Sequence, residues 1–260
     1  MSQIDFGRHS DDYAAFRPGL PASFYLRLDA LVRLRGARAL DLACGPGTVA
    51  LELAARGSAV VGIDVAAGQI AAAERVAAER GLASAARFLV ATAEDTGLDD
   101  GGFDLVTAGQ CWHWFDSAAA LAEARRVLRP GGLLAIVAYS YLAEHSAAAA
   151  ATEELILEFN PAWTMAGWTG LFPEQIDEVI RHGFELVEQF CYQEPELFSH
   201  EAWRGRMRTC NGVGSGGLPP AEVARFDQAL GRLLARRFPD PVPVLHRVWC
   251  VVARKPVGAP

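Results

Sequence analysis

The chain is predicted to fold as an α/β domain built on a doubly wound, mainly parallel sheet. Three observations carry that expectation. From Ala37 onward short apolar runs alternate with helical stretches. A glycine-rich turn, Cys44-Gly45-Pro46-Gly47, joins the first run to the first helix. The runs lack a polar alternate face, which is how strands covered on both sides read. A length of 260 residues suits one such domain with insertions.

The elements follow in order. A helix is expected around Pro21 to Arg35, then a strand at Ala39 to Ala43 and its helix at Thr48 to Arg56. Ala59 to Asp64 reads as the second strand, followed by a helix from Ala66 to Arg80 that Gly81 ends. Arg87 to Ala91 and Phe103 to Ala108 give strands three and four. Ala118 to Leu128 is a helix stopped by Arg129-Pro130-Gly131-Gly132, and Leu133 to Tyr139 is the fifth strand. Beyond it lie an alanine-rich helix at Ala147 to Phe159, a helix at Pro173 to His182 and a sixth strand at Phe184 to Tyr192. About fifty residues, including Trp203, the Gly212 to Gly217 loop and a helix from Pro219 to Arg237, precede a last strand at His246 to Ala253. Such long aromatic connections suit lids. The expected organisation is therefore an N-terminal lid segment and helix (1–36), a nucleotide-binding core (37–140), and completion of the sheet with lid insertions near 141–170 and 193–240 (141–260).

Composition narrows the partners. Twenty-four basic residues against 31 acidic give a net charge of −7, so the surface repels a phosphate backbone and nucleic acid is not expected. No apolar run reaches the roughly 18 residues of a membrane span. The N-terminus shows no basic flank before an apolar core, and five scattered cysteines without a C-x-x-C pair read as reduced thiols, so a cytoplasmic protein without a metal site is expected.

The glycine turn carries the chemistry. Gly45 and Gly47 let the backbone turn tightly and approach a ligand that a Cβ would hold away. Asp64 ends the second strand about 20 residues on, where a carboxylate can accept both hydroxyls of a ribose. Gly45-Pro46-Gly47-Thr48-Val49-Ala50 also fits the dinucleotide fingerprint, so the loop alone leaves the ligand open. Asp41 tilts the choice. A carboxylate beside the turn suits an ammonium or sulfonium and would repel a pyrophosphate by several kcal/mol at low effective dielectric. Its plainer alternative is a turn cap.

Asp41-Leu42-Ala43-Cys44-Gly45-Pro46-Gly47 and Val61-Gly62-Ile63-Asp64 resemble the first two motifs of class I S-adenosylmethionine-dependent methyltransferases. Ala91 to Asp95, Phe103 to Val106 and Leu128 to Gly132 resemble the remaining motifs in the same order. Tyr13 to Pro18, Trp112 to Phe115 and His246 to Trp249 are similar to the type 11, trans-aconitate methyltransferase-like branch. The resemblance implies a Rossmann-like, doubly wound, seven-stranded sheet with helical lid insertions, its last strand antiparallel. It also implies S-adenosyl-L-methionine as cofactor. Asp64 would hold the ribose; Val65 and Gln69 would line the adenine, although many relatives carry an apolar residue or methionine at position 69. Ala93, with Thr92 or Glu94, would meet the adenine edge. Ala43, Gly45 and Gly47 would form the loop around the methionine part, with Asp41 and Gln110 near its ammonium. Tyr13 and Arg17 would reach its carboxylate.

The acceptor side is expected at Gln110-Cys111-Trp112-His113-Trp114-Phe115. His113 is the candidate base for an oxygen or nitrogen acceptor. Trp112 and Trp114 would point opposite ways in an extended segment, one lining the pocket and one in the core. Among Arg204, Arg206 and Arg208, Arg206 is the candidate fork for an anionic acceptor. Cys44 and Cys111 read as packed thiols without a basic partner. The reading is a methyltransferase acting on a small molecule, with oxygen, including carboxylate oxygen, as acceptor atom. A nicotinamide-dependent oxidoreductase and a non-catalytic cofactor-binding regulator are the rivals, and the oligomeric state is open.

Overall fold

The computed structural model describes residues 16–215 and 217–258. Its first half alternates strand and helix as the hydrophobic pattern dictates: α1 (Ala22–Val32), β1 (Arg38–Leu42), α2 (Thr48–Ala55), β2 (Ala59–Asp64), α3 (Ala67–Glu79), β3 (Ala86–Val90), β4 (Phe103–Gly109), α4 (Ser117–Val127) and β5 (Leu128–Tyr141). The second half adds α5 (Ala147–Phe159), α6 (Glu174–Arg181), β6 (Glu185–Phe198), α7 (His200–Arg208), α8 (Pro220–Arg237) and β7 (Val242–Arg254).

Seven strands form one sheet in the order β3-β2-β1-β4-β5-β7-β6. The pairs β1–β2, β1–β4, β2–β3 and β4–β5 are parallel. β7 runs against β5: the Gly131 N–H donates to the Lys255 carbonyl at one end and the Leu142 N–H to the Leu245 carbonyl at the other, so partner numbers rise on one strand as they fall on the other. Strand order reverses beside β1, which places the carboxyl ends of β1 and β4 at the switch point where α/β sheets bind ligands.

Three elements differ from the sequence expectation. β5 begins at Leu128 and carries Pro130-Gly131-Gly132 inside it, with a register shift opposite Phe103 and Leu105. β6 continues through Gln193-Glu194-Pro195-Glu196 to Phe198. It lies at the sheet edge, where a missing N–H at proline is tolerated and charge blunts further pairing. The segment around Trp203 is a helix, α7, begun by the Ser199 hydroxyl accepting the Ala202 N–H at 3.0 Å. Its polar sequence and central Gly205 hide the helical period. The glycine is needed by packing: a Cβ there would lie 2.3 Å from the Phe16 ring.

The chain separates into two compact units. The first comprises Gly19–Tyr139, Leu171–Cys191 and the described residues from Val248 onward. The second comprises the described residues up to Pro18, Ser140–Gly170 and Tyr192–Arg247. The expected N-terminal lid of 1–36 is thus divided, because α1 belongs with the first unit. It buries Phe24, Tyr25 and Leu28, with Phe24 against Phe190 of β6 at 6.4 Å; each buried ring or leucine contributes about 1.5–3 kcal/mol. The second unit has its own core, which includes Ile156, Trp203, Met207, Phe226, Leu230 and Val244.

Candidate active site

The carboxyl ends of β1, β2 and β4 meet within the first unit, and backbone bonds lock the connecting loops. The Cys44 N–H donates to Ile63 and the Gln110 N–H to Val137, both at 2.8 Å. Ala43 (φ 47°), Gly45 (φ 55°), Gly47 (φ 86°) and Gln110 (φ 60°) all take left-handed backbone. For the two glycines this is free of side-chain strain. Ala43 and Gln110 hold a conformation that costs about 1 kcal/mol each, at the ends of neighbouring strands, and such strain concentrates where a ligand is bound.

Asp64 is the hinge of the arrangement. One carboxylate oxygen accepts the Gly45 N–H at 3.0 Å and the other the Ala66 N–H at 2.9 Å. An ionised carboxylate has about four acceptor sites, so these two bonds fix its plane and leave capacity for two hydroxyl donors. Val65 follows directly with its side chain 68% exposed, an apolar surface suited to a flat base. Gln69 is buried one turn into α3, and Ala93 is buried after β3. Thr92 accepts the Asp95 N–H at 3.0 Å, while Glu94 accepts the Asp116 N–H at 3.0 Å and so ties the turn after β3 to the start of α4.

Asp41 departs from its expected contact. The sequence reading aims it at a ligand cation, yet it is 1% exposed and turned inward, accepting the Thr107 hydroxyl at 2.6 Å and the Ala50 N–H at 3.1 Å. Helix geometry gives the reason. The first N–H groups of α2 need acceptors, and its N-cap, Gly47, has no side chain to supply one. Asp41 supplies it from the neighbouring strand, and Thr107, its register partner on β4, supplies a donor. Burial pushes the carboxyl up to about 7, with the Asp64 charge adding to the rise and the bonds from Thr107 and Ala50 opposing it. Its effect on a cation at the loop is therefore through its field, not through contact. Burial also raises the Cys44 and Cys111 thiols, as expected of packed residues without basic partners.

The aromatic segment is a 3-10 turn, Trp112–Trp114, not an extended stretch. Trp112 packs into the core and donates its indole N–H to Glu178 at 3.0 Å. Trp114 is 51% exposed, and His113, also exposed, lies with its ring centroid 4.6 Å from that indole. Of the two tryptophans, Trp112 is the core residue.

The second unit holds the remaining candidates apart from Tyr13, which lies outside the described residues. Arg17 donates from Nε to the Thr209 hydroxyl and from Nη2 to the Thr209 carbonyl, both at 3.3 Å, a partner the sequence reading did not foresee. Arg204 and Arg208 both bond Asp227. Arg206 is turned the other way, 8% exposed, its guanidinium 4.7 Å from the Tyr141 ring centroid and 5.5 Å from that of Trp203. Beside it His246 donates from Nδ1 to the Val244 carbonyl at 3.0 Å. Burial, aided by the Arg206 charge, holds this imidazole down to about 3 and hence neutral.

Sequence reasoning missed four supporting residues. Thr107 and Glu178 give no local signal, because each acts on a residue more than 60 positions away. Gly62 and Gly109 do give one, as glycines inside apolar strands. A Cβ at Gly62 would come within 2.6 Å of Phe88 and 2.9 Å of the Cys44 sulfur, and one at Gly109 within 2.9 Å of Val49 on α2.

The chain is similar to known methyltransferases. Residues 40–136 match the family model described as a methyltransferase domain. An uncharacterized methyltransferase of Mycobacterium tuberculosis is 37% identical over 134 residues, 52% of this chain and 51% of its own, so the chain spans about half the length of that relative. The ubiquinone biosynthesis O-methyltransferase of Cereibacter sphaeroides is 31% identical over 172 residues, covering 65% of this chain and 69% of that one. Among solved structures, a protein of Anaeromyxobacter dehalogenans provisionally assigned as a type II methyltransferase superposes with a TM-score of 0.68 at 27% identity, over 94% of this chain and 100% of that one. The chain belongs to the class I S-adenosylmethionine-dependent methyltransferase family. That membership separates it from the nicotinamide-dependent oxidoreductases that share the glycine turn.

Proposed function

We propose that the protein transfers a methyl group from S-adenosyl-L-methionine to a small-molecule acceptor at oxygen. The observation that carries the reading is Asp64, gripped at both oxygens by the N–H groups of Gly45 and Ala66. That preorganisation suits two ribose hydroxyls, and the glycine turn and the exposed Val65 beside it fit the rest of an adenosine. When bound, the cofactor supplies an electrophilic methyl on a sulfonium. Gly45, Gly47 and Ala43 shape the loop around its methionine part, and the Gln110 backbone carbonyl and the field of Asp41 favour its positive charge. Gln69, Ala93, Thr92 and Glu94 form the surroundings of the adenine.

On the acceptor side, His113 takes the proton of a hydroxyl acceptor, while a carboxylate acceptor needs no base. Trp114 offers an aromatic wall that excludes water and favours a cation. Trp112 supports that turn from the core. Within the second unit, Arg206, its guanidinium near the Tyr141 and Trp203 rings, is a candidate for binding an anionic group. The relative from Cereibacter sphaeroides, an O-methyltransferase, supports oxygen as the acceptor atom. Calorimetry with S-adenosylhomocysteine and, separately, NAD tests the cofactor. Tighter binding of NAD would overturn the reading, and sound cofactor binding with no labelled product across a broad acceptor panel would move it to a non-catalytic regulator.

A further inference from the structure

We propose that the first unit carries a second binding site, at the end of its sheet opposite the glycine turn, for a short organic phosphate monoester. The amino ends of four parallel strands meet there. Arg38, Ala59, Ala86 and Phe103, the first residues of β1, β2, β3 and β4, all line one cavity of about 290 Å³. The whole length of β2, at about 3.3 Å per residue, separates Ala59 from Asp64. The cavity is therefore distinct from the cofactor site and does not rest on the methyltransferase reading.

Strand register gathers the charge. Arg38 pairs with Ala59 and Arg87 with Val61, and Ala59 and Val61 are alternate residues of β2, so all four side chains stand on one face of the sheet. Leu98 of the β3–β4 connection packs with Leu40 and Val61, yet that connection forms no helix, and Arg38, Ala59 and Arg87 are exposed. Alanines, valines and Phe103 make the remaining wall apolar, and Ser84 adds a hydroxyl.

Other arginines of this unit are neutralised by carboxylates: Arg27 by Glu188, Arg56 and Arg80 by Glu52, Arg126 by Glu123 and Arg129 by Asp104. Among the described residues, neither Arg38 nor Arg87 has an ion-pair partner, and no acidic residue lines the cavity. The Arg38 guanidinium lies 5.7 Å from the Phe103 ring centroid, and Asp104, which accepts the Arg38 backbone N–H, has Arg129 as its counter-ion. The two lining guanidiniums sum to +2 on a chain whose net charge is −7, so an anion is drawn to this spot. A phosphate monoester, a dianion above its second pKa of about 6, neutralises both, and its tetrahedral oxygens accept from two planar forks at once. A monoanion leaves one charge unmatched and a neutral ligand leaves two. At roughly 30 Å³ per non-hydrogen atom the cavity holds about ten, half of them the phosphate and half an alkyl chain along the apolar wall.

The test titrates pentyl phosphate, inorganic phosphate and pentan-1-ol into the full chain at pH 8 by calorimetry. Pentyl phosphate should bind at least threefold more tightly than inorganic phosphate and at least tenfold more tightly than the alcohol. R38Q and R87Q should each weaken it at least fivefold, with melting temperature and S-adenosylhomocysteine affinity as in the wild type. Saturation with S-adenosylhomocysteine should leave pentyl phosphate binding unchanged. If R38Q fails to fold, R87Q alone decides. No binding of pentyl phosphate, binding no tighter than that of inorganic phosphate or the alcohol, unaltered affinity in either folded variant, or displacement by S-adenosylhomocysteine would each overturn the proposal.

Discussion

Asp41 gives the core an unusual pH dependence. Its carboxyl, ordinarily at 3.8, sits near 7 in the native state because it is buried. Between about pH 4 and 7 the native state keeps a proton that the unfolded chain has released. The native state then binds more protons, so this residue lowers stability as pH rises through that window, by on the order of 4 kcal/mol in total. His246 acts the other way: held neutral down to about 3, it disfavours the native state as pH falls below the unfolded value near 6.5. In Asp41→Asn the falling limb should vanish, leaving melting temperatures that rise with pH from 4 to 6.5. A cation at the glycine loop would draw the Asp41 proton off, so cofactor binding at pH 6 should release a fraction of a proton, read as a dependence of the calorimetric heat on buffer ionisation. Asp64→Ala should weaken S-adenosylhomocysteine by roughly 1–3 kcal/mol; unchanged affinity would contradict the ribose assignment. For His113→Ala the expected outcome is lower turnover on a hydroxyl acceptor at nearly unchanged cofactor affinity.

Elements set the geometry that those residues use. The β2 backbone approaches β3 and the glycine loop closely because Gly62 has no Cβ, and Gly62→Ala must push back Phe88 and Cys44. Overpacking of this kind costs about 1–3 kcal/mol, and here the displaced sulfur belongs to the loop itself. Denaturant unfolding should show the loss, with a fall in cofactor affinity beside it. The same scale shows what the sequence made legible. Strands β1 to β4 and their helices follow from hydrophobic period and glycine stops, since each is specified by its own residues. The helical Trp203 segment and the far half of β6 were not legible. The period of α7 is broken by Gly205, required by Phe16 far away in sequence, and β6 tolerates its charge and proline because, among the described residues, it is an edge strand. The inward turn of Asp41 is not legible in the sequence, since the acceptor-poor start of α2 is visible only in three dimensions.

At the scale of the whole molecule, the net charge of −7 argues against nucleic acid as partner. Single-stranded RNA should give no mobility shift at low salt, where any electrostatic attraction would be strongest. The chain also passes between its two units five times, after residues 18, 139, 170, 191 and 247. Neither unit is a continuous piece of sequence. β7 is the last of the seven strands in chain order, yet in the sheet it lies between β5 and β6, both made before it. Until β7 emerges, β5 presents a bare edge and β6 has no neighbour on the sheet. The sheet therefore cannot close until β7 is made, and a chain cut before Val242 should be a sticky, protease-prone product instead of a shortened domain.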